Sequence, residues 1–62
     1  MNAYIRVYID MMAENKAIID DINSVIENAT PDEKIELQEL LAVCTEEYNA
    51  AKIALETLKK EI

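Results

Sequence analysis

The chain has no histidine, glycine, tryptophan or phenylalanine, and only one cysteine and one proline in 62 residues. Each absence removes a class of function. Without histidine there is no imidazole base, so Ser-His-Asp and Cys-His nucleophile systems are excluded. The inward-pointing Glu-x-x-His pairs of di-iron bundles are excluded with them. Cys44 has no second thiol to pair with, and with no histidine beside it a structural zinc site is ruled out. Without glycine there is no glycine-rich phosphate loop and no left-handed turn residue of the usual kind. Nothing has the spacing of a calcium loop. The expectation is a chain that is no enzyme, with no metal and no cofactor.

Long apolar runs are missing too. No stretch of about 18 apolar residues exists, so no transmembrane span is expected. Residues 1–12 are fairly apolar, but Arg6 and Asp10 interrupt them, and no signal peptide is expected. Alternating β-branched and aromatic residues are absent, so nothing predicts a strand.

Helix formers remain, and one segment breaks them, Asn28-Ala29-Thr30-Pro31-Asp32-Glu33. Thr30 reads as an N-cap and Pro31 sits at the first helical position, where its missing N–H costs nothing. Glu33 completes a Thr-x-x-Glu capping box. Asp32 and Glu33 suit the positive end of the helix dipole, and Lys59 and Lys60 suit the negative end. One domain over residues 1–62 is predicted: helix 1 over about 2–28, a turn at 29–30 and helix 2 over about 31–61.

Both helices carry heptad stripes with 4-3 spacing. In helix 1 the stripe is Met1, Ile5, Tyr8, Met12, Asn15, Ile19, Ile22 and Ile26. In helix 2 it is Leu37, Leu41, Cys44, Tyr48, Ala51, Leu55, Leu58 and Ile62. The stripes mirror each other about the turn, with Ile26 opposite Leu37 and Met1 opposite Ile62. Asn15 opposite Tyr48 is the one polar level, and it reads first as a buried pair that fixes register. Apolar residues also lie off the stripes: Tyr4, Met11, Ile18 and Val25 in helix 1, and Leu40, Val43, Ala50 and Ala54 in helix 2. That face is wider than one hairpin can cover. A chain this short also buries too little surface to be a stable monomer without a disulfide or metal.

The fold expected is therefore all-α: an antiparallel two-helix hairpin that self-associates into a four-helix bundle or a larger helical oligomer. The oligomer interface is assigned to Tyr4, Ile5, Tyr8, Met11, Met12, Ile18, Val25, Leu40 and Ala54.

Charge is unevenly placed. The net charge is −7, and all of it lies at the turn. Residues 16–47 hold two cations against nine carboxylates, while the rest of the chain holds four against four. An acidic chain is poorly suited to duplex nucleic acid or to an anionic membrane surface, so neither is expected as a partner. The balanced open end carries tyrosines near cations, a combination that can stack on a base and pair with a phosphate. The candidate ligand residues are Tyr4, Arg6, Tyr8, Asn15, Tyr48, Lys52 and Lys59. Cys44 lies on the core stripe and reads as a buried thiol, which suits a reducing cytoplasm.

In size, acidity and lack of catalytic residues the chain resembles the small accessory proteins of phages and plasmids. That resemblance implies a non-catalytic, homo-oligomeric binding protein. It would hold a small anionic, nucleotide-type signal between subunits, or block a host protein. The alternative is a structural dimerisation or adaptor module with no small-molecule ligand. The hairpin dimer also resembles the plasmid repressor-of-primer protein in architecture, which implies RNA binding, but the negative charge opposes it.

Overall fold

In the computed structural model, which describes residues 3–60, the chain is two helices joined by a tight turn. Helix α1 spans Ala3–Val25, a single 3-10 turn covers Ile26–Asn28, and helix α2 spans Pro31–Lys60. The helices pack along their length as an antiparallel hairpin 47 Å long and only 14 by 12 Å across. Met1 and Ile62, the outermost opposed pair expected from the heptads, lie outside the described residues.

The turn works without glycine. The last turn of the first helix tightens from α to 3-10, and the Ala29 N–H donates to the Ile26 carbonyl at 3.3 Å. Ala29 is extended, with φ −79° and ψ 154°. No residue among those described takes a positive φ. Tightening the last turn is a standard way to satisfy helix-end groups. It also leaves α1 three residues short of Asn28, with the 3-10 turn filling the difference.

The start of α2 is fixed by reciprocal bonds. The Glu33 backbone N–H donates to Thr30 Oγ1 at 3.3 Å, and the Thr30 N–H donates to Glu33 Oε1 at 3.0 Å. The Thr30 carbonyl then accepts the first helical bond, from the Lys34 N–H, at 2.8 Å. The bonds with Thr30 favour the ionised carboxylate and hold the Glu33 pKa below its ordinary value. Two acidic residues stand in the first turn of α2 and two lysines in its last, both in the sense the helix dipole favours.

Between the helices the heptad stripes meet. Ile5, Asn15 and Ile22 of α1 and Cys44, Ala51 and Leu55 of α2 are buried. Tyr8, Met12, Ile19 and Ile26 are half-buried beside them, as are Leu37, Leu41, Tyr48 and Leu58. Ala51 is the most enclosed of the core, at 2% exposure. A small residue there lets the helices approach closely at the level of Met12. Among the described residues, no large side chain is fully enclosed. A two-helix layer has only one seam, and every seam residue has a flank open to solvent.

Candidate functional site

Geometry divides the hairpin surface into two long faces. Around a helix each residue advances about 100°, so the two edges of a heptad stripe emerge on opposite flanks. One edge is the row just before Ile5, Met12 and Ile19 in α1, and just before Leu41, Tyr48 and Leu55 in α2. In an antiparallel pair these two rows fall on the same side. Val25 and Leu40 accordingly line one groove together, near the turn. Tyr4, Tyr8 and Ala54 line another on the same side, near the open end. The opposite edges meet on the other side, where Lys16, Ile19, Asp20 and Tyr48 line a third groove.

The first face is apolar. Tyr4 (68% exposed), Ile18 (40%), Val25 (50%) and Leu40 (46%) lie along it, and Val7 (51%) and Val43 (52%) stand at its outer edge. Met11 and Ala54 are half-buried between them. Among the described residues its charges are Glu47 near the middle, the flanking Glu14 and Asp21, and a pair at the turn end. There Glu33 and Glu36 join Val25, Asn28, Ala29, Leu37 and Leu40 around a groove of about 510 Å³. The open-end groove, about 330 Å³, is bounded by Tyr4, Tyr8, Ala54, Thr57 and Leu58, with no charged residue in its wall among those described.

The second face is mainly polar. Arg6 pairs loosely with Asp10 at 3.9 Å, and Lys16 Nζ reaches Asp20 Oδ2 at 3.4 Å. Both are largely exposed one-turn pairs, worth only a few tenths of a kcal/mol each. Lys52 and Lys59 follow Ala51 and Leu58 on this flank and are exposed. Of the exposed apolar residues away from the first face, Ile35 stands among polar neighbours, Ile9 flanks the seam one turn from Ile5 and Met12, and Ile53 lines a shallow groove of about 850 Å³ on the outside of α2 with Leu41, Ala42 and Ala50.

The seven candidate ligand residues are thereby distributed. Tyr4 and Tyr8 come together in the open-end groove. Arg6 lies between them in sequence but about 200° around the helix from Tyr4, away from the apolar side. Lys52 and Lys59 are on the polar flank, apart from the two tyrosines. Tyr48 lies beside Lys16, Ile19 and Asp20 in a groove of about 200 Å³. Within one chain, the expected tyrosine–cation cluster is split between two faces.

The polar level expected at Asn15 and Tyr48 is present, without a side-chain hydrogen bond between the two. Asn15 is buried, at 6% exposure, but its side-chain bond does not go to Tyr48. Its Nδ2 donates instead to the Met11 carbonyl, one turn back on its own helix, at 2.9 Å. A short amide side chain reaches its own helix more readily than it reaches a ring that lies beside Lys16 and Asp20.

The expected interface residues also separate. Ile5 is buried in the seam, and Tyr8 and Met12 are half-buried in it. These three hold the hairpin together. Tyr4, Met11, Ile18, Val25, Leu40 and Ala54 share the apolar face. Val43, noted from the sequence as off the stripe but not assigned to the interface, belongs to the same face, as does the acidic pair Glu33 and Glu36. The signal for Val43 was present, since it stands one turn beyond Leu40. Lys16 beside Tyr48 was missed because it is one residue past the seam position.

Among the described residues, no cluster of three or more acidic or thiol groups could hold a metal, and no helix is long and apolar enough to cross a membrane. Cys44 is a free, buried thiol.

No protein-family model, curated protein or solved structure matches this chain. The functional reading therefore rests on the two faces.

Proposed function

We propose that this chain is a non-catalytic assembly module of the cytoplasm, a hairpin whose copies pair through the apolar face into a four-helix bundle. One observation carries the reading: six large apolar side chains, Tyr4, Val7, Ile18, Val25, Leu40 and Val43, each 40–68% exposed, fall on one side of the hairpin. Scattered exposed apolar residues are ordinary, but a continuous stripe running most of the length of a hairpin is not. Pairing two such stripes gives each helix two apolar neighbours, which is the geometry of a bundle. The polar face and the carboxylates of the turn half that lie off the apolar face, such as Asp20, Asp32, Glu39 and Glu46, remain outside the bundle as the surface for a basic protein partner. The experiment is analytical ultracentrifugation over a wide concentration range. Reversible dimers or larger closed oligomers support the reading, and a monomer at every concentration ends it.

A second reading is favoured by the open-end groove. At about 330 Å³, it is the size of a small ligand site and has two tyrosines in its wall. In this reading the oligomer holds a small anionic, nucleotide-type ligand between subunits, with cations supplied by another copy. Native mass spectrometry of protein purified from its expression host discriminates the two. A retained mass of a few hundred daltons per site supports the ligand, and a bare oligomer supports pure assembly.

A further inference from the structure

The apolar face is asymmetric along its length, and that asymmetry selects one way of pairing. At the turn end the face has a wide groove of about 510 Å³ with Glu33 and Glu36 in its wall. At the open end it has Tyr4, 68% exposed, beside a groove with no charged residue among those described. Two hairpins can stack face to face with their turns together or with their turns at opposite ends. Turns together would bring two acidic grooves into contact, Glu33 and Glu36 of one against those of the other. It would also set two turn halves of net charge −7 side by side. Turns apart brings each acidic groove against the charge-balanced open end of the other copy and moves the two acidic ends beyond screening distance.

The apolar levels match as well, with Glu47 of each copy the one like-charge pair near the axis. The 3-10 turn extends the first helical segment to Asn28, and its midpoint falls between residues 15 and 16. A two-fold axis there carries the level of residue 4 onto that of residue 27. Residue 27 lies between Val25 and Asn28, which line the acidic groove. The same operation brings Leu40 to within one residue of the level of Ala54, so a large side chain meets a small one.

We infer that a second copy of this chain docks on the apolar face with its turn at the opposite end, so that Tyr4 of each enters the Glu33–Glu36 groove of the other. The inference rests on the self-association proposed above and adds its orientation and its anchor. The ring supplies apolar contact with Val25 and Leu40 of the partner subunit. A ring that is apolar on its faces and polar at its tip suits a groove with apolar walls and an acidic rim. The area is adequate: a face of 47 by 14 Å projects roughly 650 Å² per copy, near the ~800 Å² per partner of a standard interface.

The test is a distance between the two turns in the dimer. Asp32 is exposed and lies off the apolar face, so an Asp32→Cys, Cys44→Ala chain can carry one spin label per copy without touching the interface. With turns apart, the rise of the helices places the two labels roughly 45–50 Å from each other. With turns together, they fall below roughly 30 Å. The long distance is expected in pulsed dipolar spectroscopy. A dominant short distance in a dimeric sample overturns the orientation and leaves self-association standing. A sample that is monomeric by ultracentrifugation overturns self-association itself. Tyr4→Ala is expected to weaken the dimer at least tenfold while leaving its helix content unchanged, and unchanged dimer affinity removes Tyr4 as the anchor.

Discussion

Replacing Asn15 with leucine should stabilise the protein. Asn15 is 6% exposed in an otherwise apolar seam, and its side-chain hydrogen bond goes to the Met11 carbonyl. In an α-helix that carbonyl already accepts the Asn15 backbone N–H, so removing the side chain leaves no backbone group unpaired. Burying a neutral amide costs about 1–3 kcal/mol, of which one hydrogen bond returns about 1 kcal/mol. A leucine buried at the same level contributes about 1.5–3 kcal/mol. The net gain for Asn15→Leu is about 2 kcal/mol per chain. For a domain of this size that corresponds to a rise in Tm of about 15 °C. Thermal unfolding followed by far-UV circular dichroism reads it directly, with ultracentrifugation to check that the subunit number is unchanged. A fall in Tm would refute the reasoning. It would mean that the Asn15 carboxamide is bound by something outside the hairpin, in a second subunit or a ligand, and that its bond to Met11 is not its main interaction.

Four further outcomes are expected. Leu40→Glu should weaken self-association about thirtyfold or more. Burying the 46% of Leu40 that one hairpin leaves exposed contributes about 1 kcal/mol per copy, and a buried carboxylate adds to the loss; sedimentation equilibrium measures it, and an unchanged dimer constant contradicts it. Thr30→Ala removes the hydroxyl arm of the capping box and should lower stability by about 1 kcal/mol in denaturant titration. Glu33 has a depressed pKa in the folded chain, so its contribution is present above the ordinary glutamate value and is lost as pH falls through the folded value. Parent and Glu33→Gln should therefore converge in stability under acid and separate above it, and parallel pH profiles would show that the carboxylate is irrelevant. Ile22→Ala empties a seam position that is 4% exposed and should cost about 2–4 kcal/mol in the same titration, and a cost below about 1 kcal/mol would mean that the seam closes over the gap.

The hairpin itself was legible in the sequence because its signals are local and agree. The capping box at Thr30 and Glu33, proline at the first helical position and two 4-3 stripes all specify the same turn and the same seam. The core residues followed, since Ile5, Ile22, Cys44, Ala51 and Leu55 occupy stripe positions and are the buried apolar residues. Side-chain partnerships were less legible. Asn15 and Tyr48 stand at opposed levels, yet Asn15 turns to its own helix and Tyr48 lies beside Lys16 and Asp20. A level in a heptad diagram fixes where a Cα stands, and the rotamer then chooses among several reachable partners.

The candidate site shows the same division. Sequence grouped Tyr4, Arg6, Tyr8, Tyr48, Lys52 and Lys59 by their distance from the turn, which is a coordinate along the hairpin. It had no coordinate around the hairpin, because that depends on how two helices are set against each other. Once they pack antiparallel, one edge of each stripe falls on one side and the other edge on the other, and the tyrosines Tyr4 and Tyr8 part from Lys52 and Lys59. Composition and periodicity alone thus determined two helices, their turn and the residues between them, since helix propensity, capping and burial act over a few neighbouring residues. Which exposed residues share a face was decided only by the tertiary structure, because it follows from the packing of segments far apart in the chain.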